Sequence, residues 1–392
     1  MSLKAIRPLA PRDPSEPHRA STTLELLFDL VSVIAIAAVT AGLHHAISGG
    51  HGVEALPRFV FVFLAIWWAW MNFTWFASAF DNDDALYRVL VLVIIAGELV
   101  FAGGVGFIFD TLDFHVGLAG WTIMRLGMIG LWLRAAAGSP AHRTTALRYA
   151  AGIALAQTGW VVMYLLADPQ SLWFYAFAAA GYALELAVPP FAESAGATPY
   201  HRHHVIERYG LLMIITLGEI MLSISRGYGL LFATVPAIPA ATAATAALVI
   251  VFSIWWIYFC EQEHLPHLGF KTALVWGYGH VFIFAATALA GAAIGAGIDL
   301  AAGESHASRS EVALWLGLAL AMIYGFLWIV RDRHLPLDAA RRLSLPAMAV
   351  VFALAGFAGL PGWAFAALSG LAVAWRAPVT GRGASAGEHS GS

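Results

Sequence analysis

Apolar residues along this chain run in windows of about 20, separated by short polar breaks. Since a helix rises about 1.5 Å per residue through about 30 Å of hydrocarbon, each window is long enough for one membrane crossing. Twelve such windows are read, over 22–45, 57–80, 86–108, 115–136, 147–166, 171–190, 204–226, 236–260, 271–297, 311–330, 345–357 and 361–376. The last two are short and are separated by Gly359-Leu360-Pro361-Gly362. The pattern predicts an all-α, polytopic integral membrane bundle of about twelve transmembrane helices. The polar, proline-bearing residues 1–20 and the Gly/Ser-rich residues 377–392 are expected to be disordered and cytoplasmic. The first segment lacks the apolar core of a cleavable signal, so the first helix is expected to direct insertion.

Composition agrees with that class. Apolar residues make up 60% of the 392, charged residues only 11%, and the mean hydropathy is +0.75. A soluble domain holds about 45–50% apolar and about 25% charged residues. One cysteine, Cys260, leaves no intrachain disulfide and no thiolate cluster. No phosphate-cradling loop, nucleophile elbow or HExxH string is present, and nothing points to a nucleic acid or a bound cofactor. Threaded from a cytoplasmic N-terminus, Arg58, Arg226 and Arg309 fall on the far side, Arg125 lies inside a helix, and the remaining Lys and Arg collect on the near side. That asymmetry predicts cytoplasmic termini at both ends and insertion in a plasma membrane.

The two parts of the chain resemble each other. FVFLAIWWAW, ending at Trp70, aligns with VIVFSIWWIY, ending at Tyr258, and sets Trp67-Trp68 against Trp255-Trp256. An acidic stretch follows each, Asp81-Asn82-Asp83-Asp84 and Glu261-Gln262-Glu263-His264. The expected organisation is a six-helix half over 21–190, a linker over 191–203 and a second six-helix half over 204–376, in the parallel arrangement of some transporter repeats.

LELLFDLVSV (24–33), IWWAW followed by FDNDD (66–70, 80–84), HHVIERYGLLMIITLGE (203–219), WWIYF (255–259) and the histidine of GYGH (277–280) together resemble the low temperature requirement A (LtrA) family of bacterial membrane proteins. The resemblance runs over roughly 20–335. The chain departs from the family's first motif at Leu27 and at Ser32, the latter adding a hydroxyl. The resemblance implies a multi-pass bacterial membrane protein; it carries no established reaction or substrate.

Charged side chains inside these windows are the candidate site, because charge in a bilayer core is costly and marks function by default. Glu25 and Asp29 share a helix face that continues through Ser32, Ile36, Thr40 and His44. Arg208, Thr216, Glu219, Ser223 and Arg226 form a comparable stripe on 204–226. Glu98 and Arg125 reach similar depth on adjacent antiparallel helices, where they are expected to pair. Glu185 and His280 are also within spans. Two readings stand side by side. In one, Asp29, Glu219, His280, Glu98 and Arg125 form a proton, ion or substrate path, His being able to exchange a proton near neutrality. In the other, Glu25, Glu207 and Arg208, together with Glu98–Arg125, are ion pairs that fix helix register. His201-Arg202-His203-His204 carries metal-ligand types, but beside Tyr200 it reads as interfacial, and no metal is assigned. Most tryptophans read as packing or interface anchors, and Gly291/Gly295 and Gly103-Gly104 with Gly106 as close helix contacts. The expected activity is a proton- or ion-coupled transporter or permease of a small solute in the lipid bilayer. The alternatives are a membrane-embedded enzyme or sensor acting on a lipid-soluble ligand, or a structural, stress-related membrane component. The oligomeric state is not legible.

Overall fold

A computed structural model describes residues 7–14, 16, 19–232, 237–261 and 269–376, the last range without the side chains of 269–271. Among the described residues there are twelve α-helices and no strand. They are α1 (Thr23–Ser48), α2 (Gly52–Ala79), α3 (Ala85–Thr111), α4 (His115–Gly138), α5 (Arg143–Leu166), α6 (Leu172–Glu193), α7 (Arg202–Gly229), α8 (Ile238–Phe259), α9 (Gly269–Ala302), α10 (Arg309–Val330), α11 (Ala339–Phe357) and α12 (Gly362–Arg376). The protein is a polytopic helical membrane bundle. Ten helices are long and apolar enough to cross a membrane, and α7 and α12 are not among them. The reasons differ. α7 has 28 residues but carries Arg202, Glu207, Arg208, Glu219 and Arg226; α12 has only 15, too few for a span of about 30 Å.

Local sequence signals start these helices. Asp84, Ser171, Ser308 and Asp338 accept from the backbone N–H three residues on, at Tyr87, Phe174, Glu311 and Arg341, and so cap α3, α6, α10 and α11. Thr22 and Glu25 form a reciprocal capping box at α1: Glu25 N–H donates to Thr22 Oγ1 at 3.2 Å, and Thr22 N–H donates to Glu25 Oε2 at 2.8 Å.

The chain separates into two compact units, Met1–Gly42 with Ala55–Ile215, and Leu43–Glu54 with Thr216–Ser392. In the first, α3 and α4 meet backbone to backbone. A Cβ at Gly97 would stand 2.8 Å from Gly120 O, and one at Gly104 would stand 2.6 Å from Gly117 N. Gly103 and Gly106 instead face open space, so only Gly104 of that trio is a contact residue. The second unit repeats the device between α10 and α11, where a Cβ at Gly317 would lie 2.6 Å from Gly356 Cα. Gly295 lets α9 approach the His44 ring, which a Cβ there would meet at 3.0 Å.

The described part of residues 7–20 is ordered against the first unit, where its polarity predicts disorder. The end of α2 leaves carbonyls without helical partners. Arg12 N–H donates to Ala79 O at 2.9 Å, and the buried Arg19 guanidinium donates to Ala77 O at 2.6 Å and to Ser78 O. Leu9 is buried beside Gly138. The second acidic stretch lies outside the described residues from Gln262 onward, as do residues 377–392.

Candidate functional site

The first unit gathers its charge around Arg208. This guanidinium is fully buried on α7 and bridges two α1 carboxylates: Nη1 stands 3.2 Å from Glu25 Oε1, and Nη2 donates to Asp29 Oδ1 at 2.7 Å. Glu25 also meets His204 Nε2 at 2.8 Å, one helical turn before Arg208, and Arg19 at 3.8 Å. Asp29 therefore has a cation, although its position in the sequence does not require one. Positions 25 and 29 on one helix and 204 and 208 on the other are each four apart, so both pairs stack along facing stripes.

An aromatic donor completes the assembly. Trp70 Nε1 donates to Asp29 Oδ1 at 2.7 Å, and Trp70 rests edge-on against Tyr209, ring centroids 5.0 Å apart. A buried indole N–H needs an acceptor, and here it is a carboxylate. The same α2 motif supplies a second donor, Trp68 Nε1, to Glu185 Oε2 at 2.9 Å. The IWWAW string is thus polar chemistry as well as packing. Trp67 and Trp68 are buried, whereas Trp255 and Trp256 of the second unit are 46% and 43% exposed, so the matched pairs occupy unlike surroundings.

Glu185 is the anion of a separate, closed centre. Arg125 Nη2 donates to its Oε1 at 2.7 Å, and Trp160 Nε1 donates to the same oxygen at 3.0 Å. The Trp121 ring lies 4.1 Å under the guanidinium. Arg125 therefore pairs with Glu185 and not with Glu98. Equal depth on neighbouring helices does not fix azimuth. On α3 it is Gly97 that faces α4, and Glu98 points about 100° further round.

Among the described residues Glu98 is left without a cation. It is 1% exposed, and neither carboxyl oxygen finds a well-formed hydrogen bond among the described residues. The hydroxyl beside it, Ser32 Oγ, is donated to Phe28 O at 3.1 Å, and Asp29 lies within electrostatic reach. Asp29 Oδ2 is likewise buried and unbonded. Ser32, about one turn beyond Asp29 on α1, thus lies beside the Glu98 carboxyl of α3.

The other candidates go elsewhere. Glu207 is exposed and accepts from Ser21 N–H and Oγ at 3.3 and 3.2 Å, just before α1. His201 Nε2 lies 2.7 Å from Glu16 O. In the second unit Glu219 is half-buried, with no ion pair among the described residues. His280 is fully buried, with Nδ1 2.8 Å from Trp276 O. Two ion networks of this unit were not singled out from sequence. Asp299 takes His44 Nε2 at 2.7 Å, Ser48 Oγ at 2.9 Å and the Arg226 guanidinium. Asp332 binds Arg376 at 2.6 Å and Arg331 at 2.8 Å, and Glu261 lies 3.1 Å from Arg376. Both aspartates lie just outside the apolar windows, where a charge raises no alarm.

The carboxylates just outside the spans are tuned in opposite senses. Burial and the charge of Glu25 push Asp81 up to about 6. Burial works the same way on Asp84, but hydrogen bonds from Arg134 and from the Arg7 and Tyr87 N–H groups outweigh it and bring Asp84 down to about 2.

Comparison with known proteins matches the chain to one family. Residues 20–380 fit the model described as bacterial low temperature requirement A protein (LtrA). A relative, the uncharacterized protein RA0937 of Rhizobium meliloti (strain 1021), is 26% identical over 364 residues, covering 88% of this chain and 85% of its own length. No solved structure matches. With a family model spanning nearly all of its helices, this chain belongs to the bacterial low temperature requirement A family of multi-pass membrane proteins.

Proposed function

We propose that this protein is a proton-linked transporter of a small solute, with the Glu25–Arg208–Asp29–Glu98 assembly of the first unit as its proton-binding locus. The observation that carries the reading is Glu98, a fully buried carboxyl beside Asp29 with no counter-charge among the described residues. A purely structural network would end in matched pairs, as Arg125 and Glu185 do. Here Glu25 and Asp29 are matched by Arg208, with Arg19 and His204 also on Glu25, and the third acid, Glu98, lies beyond these cations. Burying an uncompensated carboxylate is costly, so its presence in a span points to a role beyond packing. Chains of acids within membrane spans are recurring parts of proton relays. Glu219 and His280 extend the reading to the second unit as further proton-exchanging groups. Arg125 and Arg208, both engaged by carboxylates, hold those acids in place.

The test is proton movement in liposomes holding a trapped pH dye, with a potassium diffusion potential set by valinomycin and a panel of small organic ions outside. Wild type should move protons with at least one solute. Glu98→Gln and Asp29→Asn should abolish the movement, Glu219→Gln and His280→Ala should reduce it, and the exposed Glu54→Gln should leave it intact. Wild-type vesicles indistinguishable from protein-free ones would remove the reading.

A further inference from the structure

A cavity of about 610 Å³ in the second unit shares no lining residue with the ion networks of that unit. It opens among α8, α9, α10 and α12, and its volume falls within the range of about 300–1,000 Å³ usual for ligand sites. Beside bulkier lining side chains such as Ile250, Leu316 and Phe365, many are short, among them Ala243, Ala246, Ala293, Gly297 and Ala313. These residues make the space: a Cβ at Gly297 would meet only Val312 Cγ1, at an ordinary 3.5 Å. Thr242, whose hydroxyl donates to Ile238 O, is the one hydroxyl among the lining residues.

The rim is different. Ile238, Arg309 and Gly362, the first residues of α8, α10 and α12, are all among its lining residues. The starts of three helices therefore lie along one cavity, and a helix start favours an anion, although Ser308 already caps α10 and Pro239 in α8 has no N–H to give. Arg309 adds a full positive charge; it is exposed and has no ion pair among the described residues. Glu311, in the same turn, is not part of the lining. Trp363 stands beside the mouth at 67% exposure, the placement of an aromatic at a membrane–water interface.

We propose that this cavity is a binding site for an anionic phospholipid of the surrounding bilayer, one acyl chain lying between the alanine-bearing helices and the phosphate seated on Arg309, beside the starts of α8, α10 and α12. Shape and charge select together. A chain fills a narrow apolar slot that a folded polar solute would not, and the cationic rim discriminates between headgroups. The site is independent of proton movement and stands whether or not the protein transports.

The experiment uses the full chain in mild detergent, with retained lipid counted by native mass spectrometry after exchange with phosphatidylglycerol or phosphatidylcholine of identical chains. Wild type should retain the anionic lipid over the zwitterionic one by about fivefold, equivalent to about 1 kcal/mol for one basic side chain at an anionic surface. Arg309→Gln should bring the ratio close to one while lipid is still held, and Arg309→Lys should keep the preference. Gly297→Leu, which fills the slot, should release both lipids from a protein that still elutes as a single species and keeps its melting temperature. Equal retention of the two lipids by wild type, or an unchanged ratio in Arg309→Gln, would overturn the proposal. So would full lipid occupancy in Gly297→Leu, or displacement of phosphatidylglycerol by millimolar inorganic phosphate, which would make the ligand a free anion.

Discussion

Arg125→Met is the sharpest test of which buried charges hold the first unit together. In the folded protein Glu185 receives three donors: Arg125 at 2.7 Å, Trp68 at 2.9 Å and Trp160 at 3.0 Å. Methionine keeps much of the length and the contact with Trp121 but removes the cation, leaving a carboxylate with two neutral indole donors. Breaking one side of a buried pair costs roughly 3–5 kcal/mol, and the lost cation–π contact with Trp121 is part of that sum. Glu185→Gln should cost a similar amount, because it strands the guanidinium. The double variant removes both charges, and replacing a whole buried pair with neutral groups is often close to neutral. It should therefore be at least 2 kcal/mol more stable than the sum of the single losses implies. The assay is reversible unfolding in mixed micelles with increasing dodecyl sulfate, followed by far-ultraviolet circular dichroism, on all four proteins of the cycle. A single-variant loss below about 1 kcal/mol, or a double variant as unstable as the two losses added together, would refute a structural ion pair at this place.

Two further outcomes follow from the same geometry. Asp81 is held protonated up to about pH 6 in the folded protein but ionises near pH 3.9 when unfolded, so the folded state binds the extra proton and stability from this group declines as pH rises through that window. Asp81→Asn should match wild type near pH 4 and exceed it by roughly 2–3 kcal/mol at pH 7.5 in thermal unfolding; a constant difference across that range would contradict the linkage. Gly120→Ala should lower stability by about 1–3 kcal/mol, because its Cβ would enter the Gly97 carbonyl at 2.6 Å, while Gly103→Ala, facing open space, should be near neutral in the same melts.

The membrane class and most of the helices were legible in the sequence, because about 20 consecutive apolar residues have few other stable uses. The suspicious residues were legible for the same reason. Glu25, Asp29, Glu98, Arg125, Glu185 and Arg208 stand out only because charge is rare where they lie. Their partners were not legible. Helical periodicity gives depth and face along one helix, yet the rotation of one helix against its neighbour comes from packing. Gly97 and Gly104 turn one side of α3 onto α4, and this carries Glu98 away from Arg125 and leaves that arginine to Glu185. Trp68 and Trp70 were read as anchors because tryptophan is abundant at membrane interfaces. Only the fold shows their indole N–H groups ending on carboxylates.

By itself, then, the sequence determined a multi-pass helical membrane protein, its family likeness and the list of charges that must be accounted for in a bilayer. The tertiary structure alone decided how they are accounted for: Arg125 closed with Glu185, Arg208 shared between Glu25 and Asp29, and Glu98 left with neither. The physical reason is that hydrophobicity is a property of each segment, whereas pairing depends on distances of about 3 Å between segments, which only packing sets.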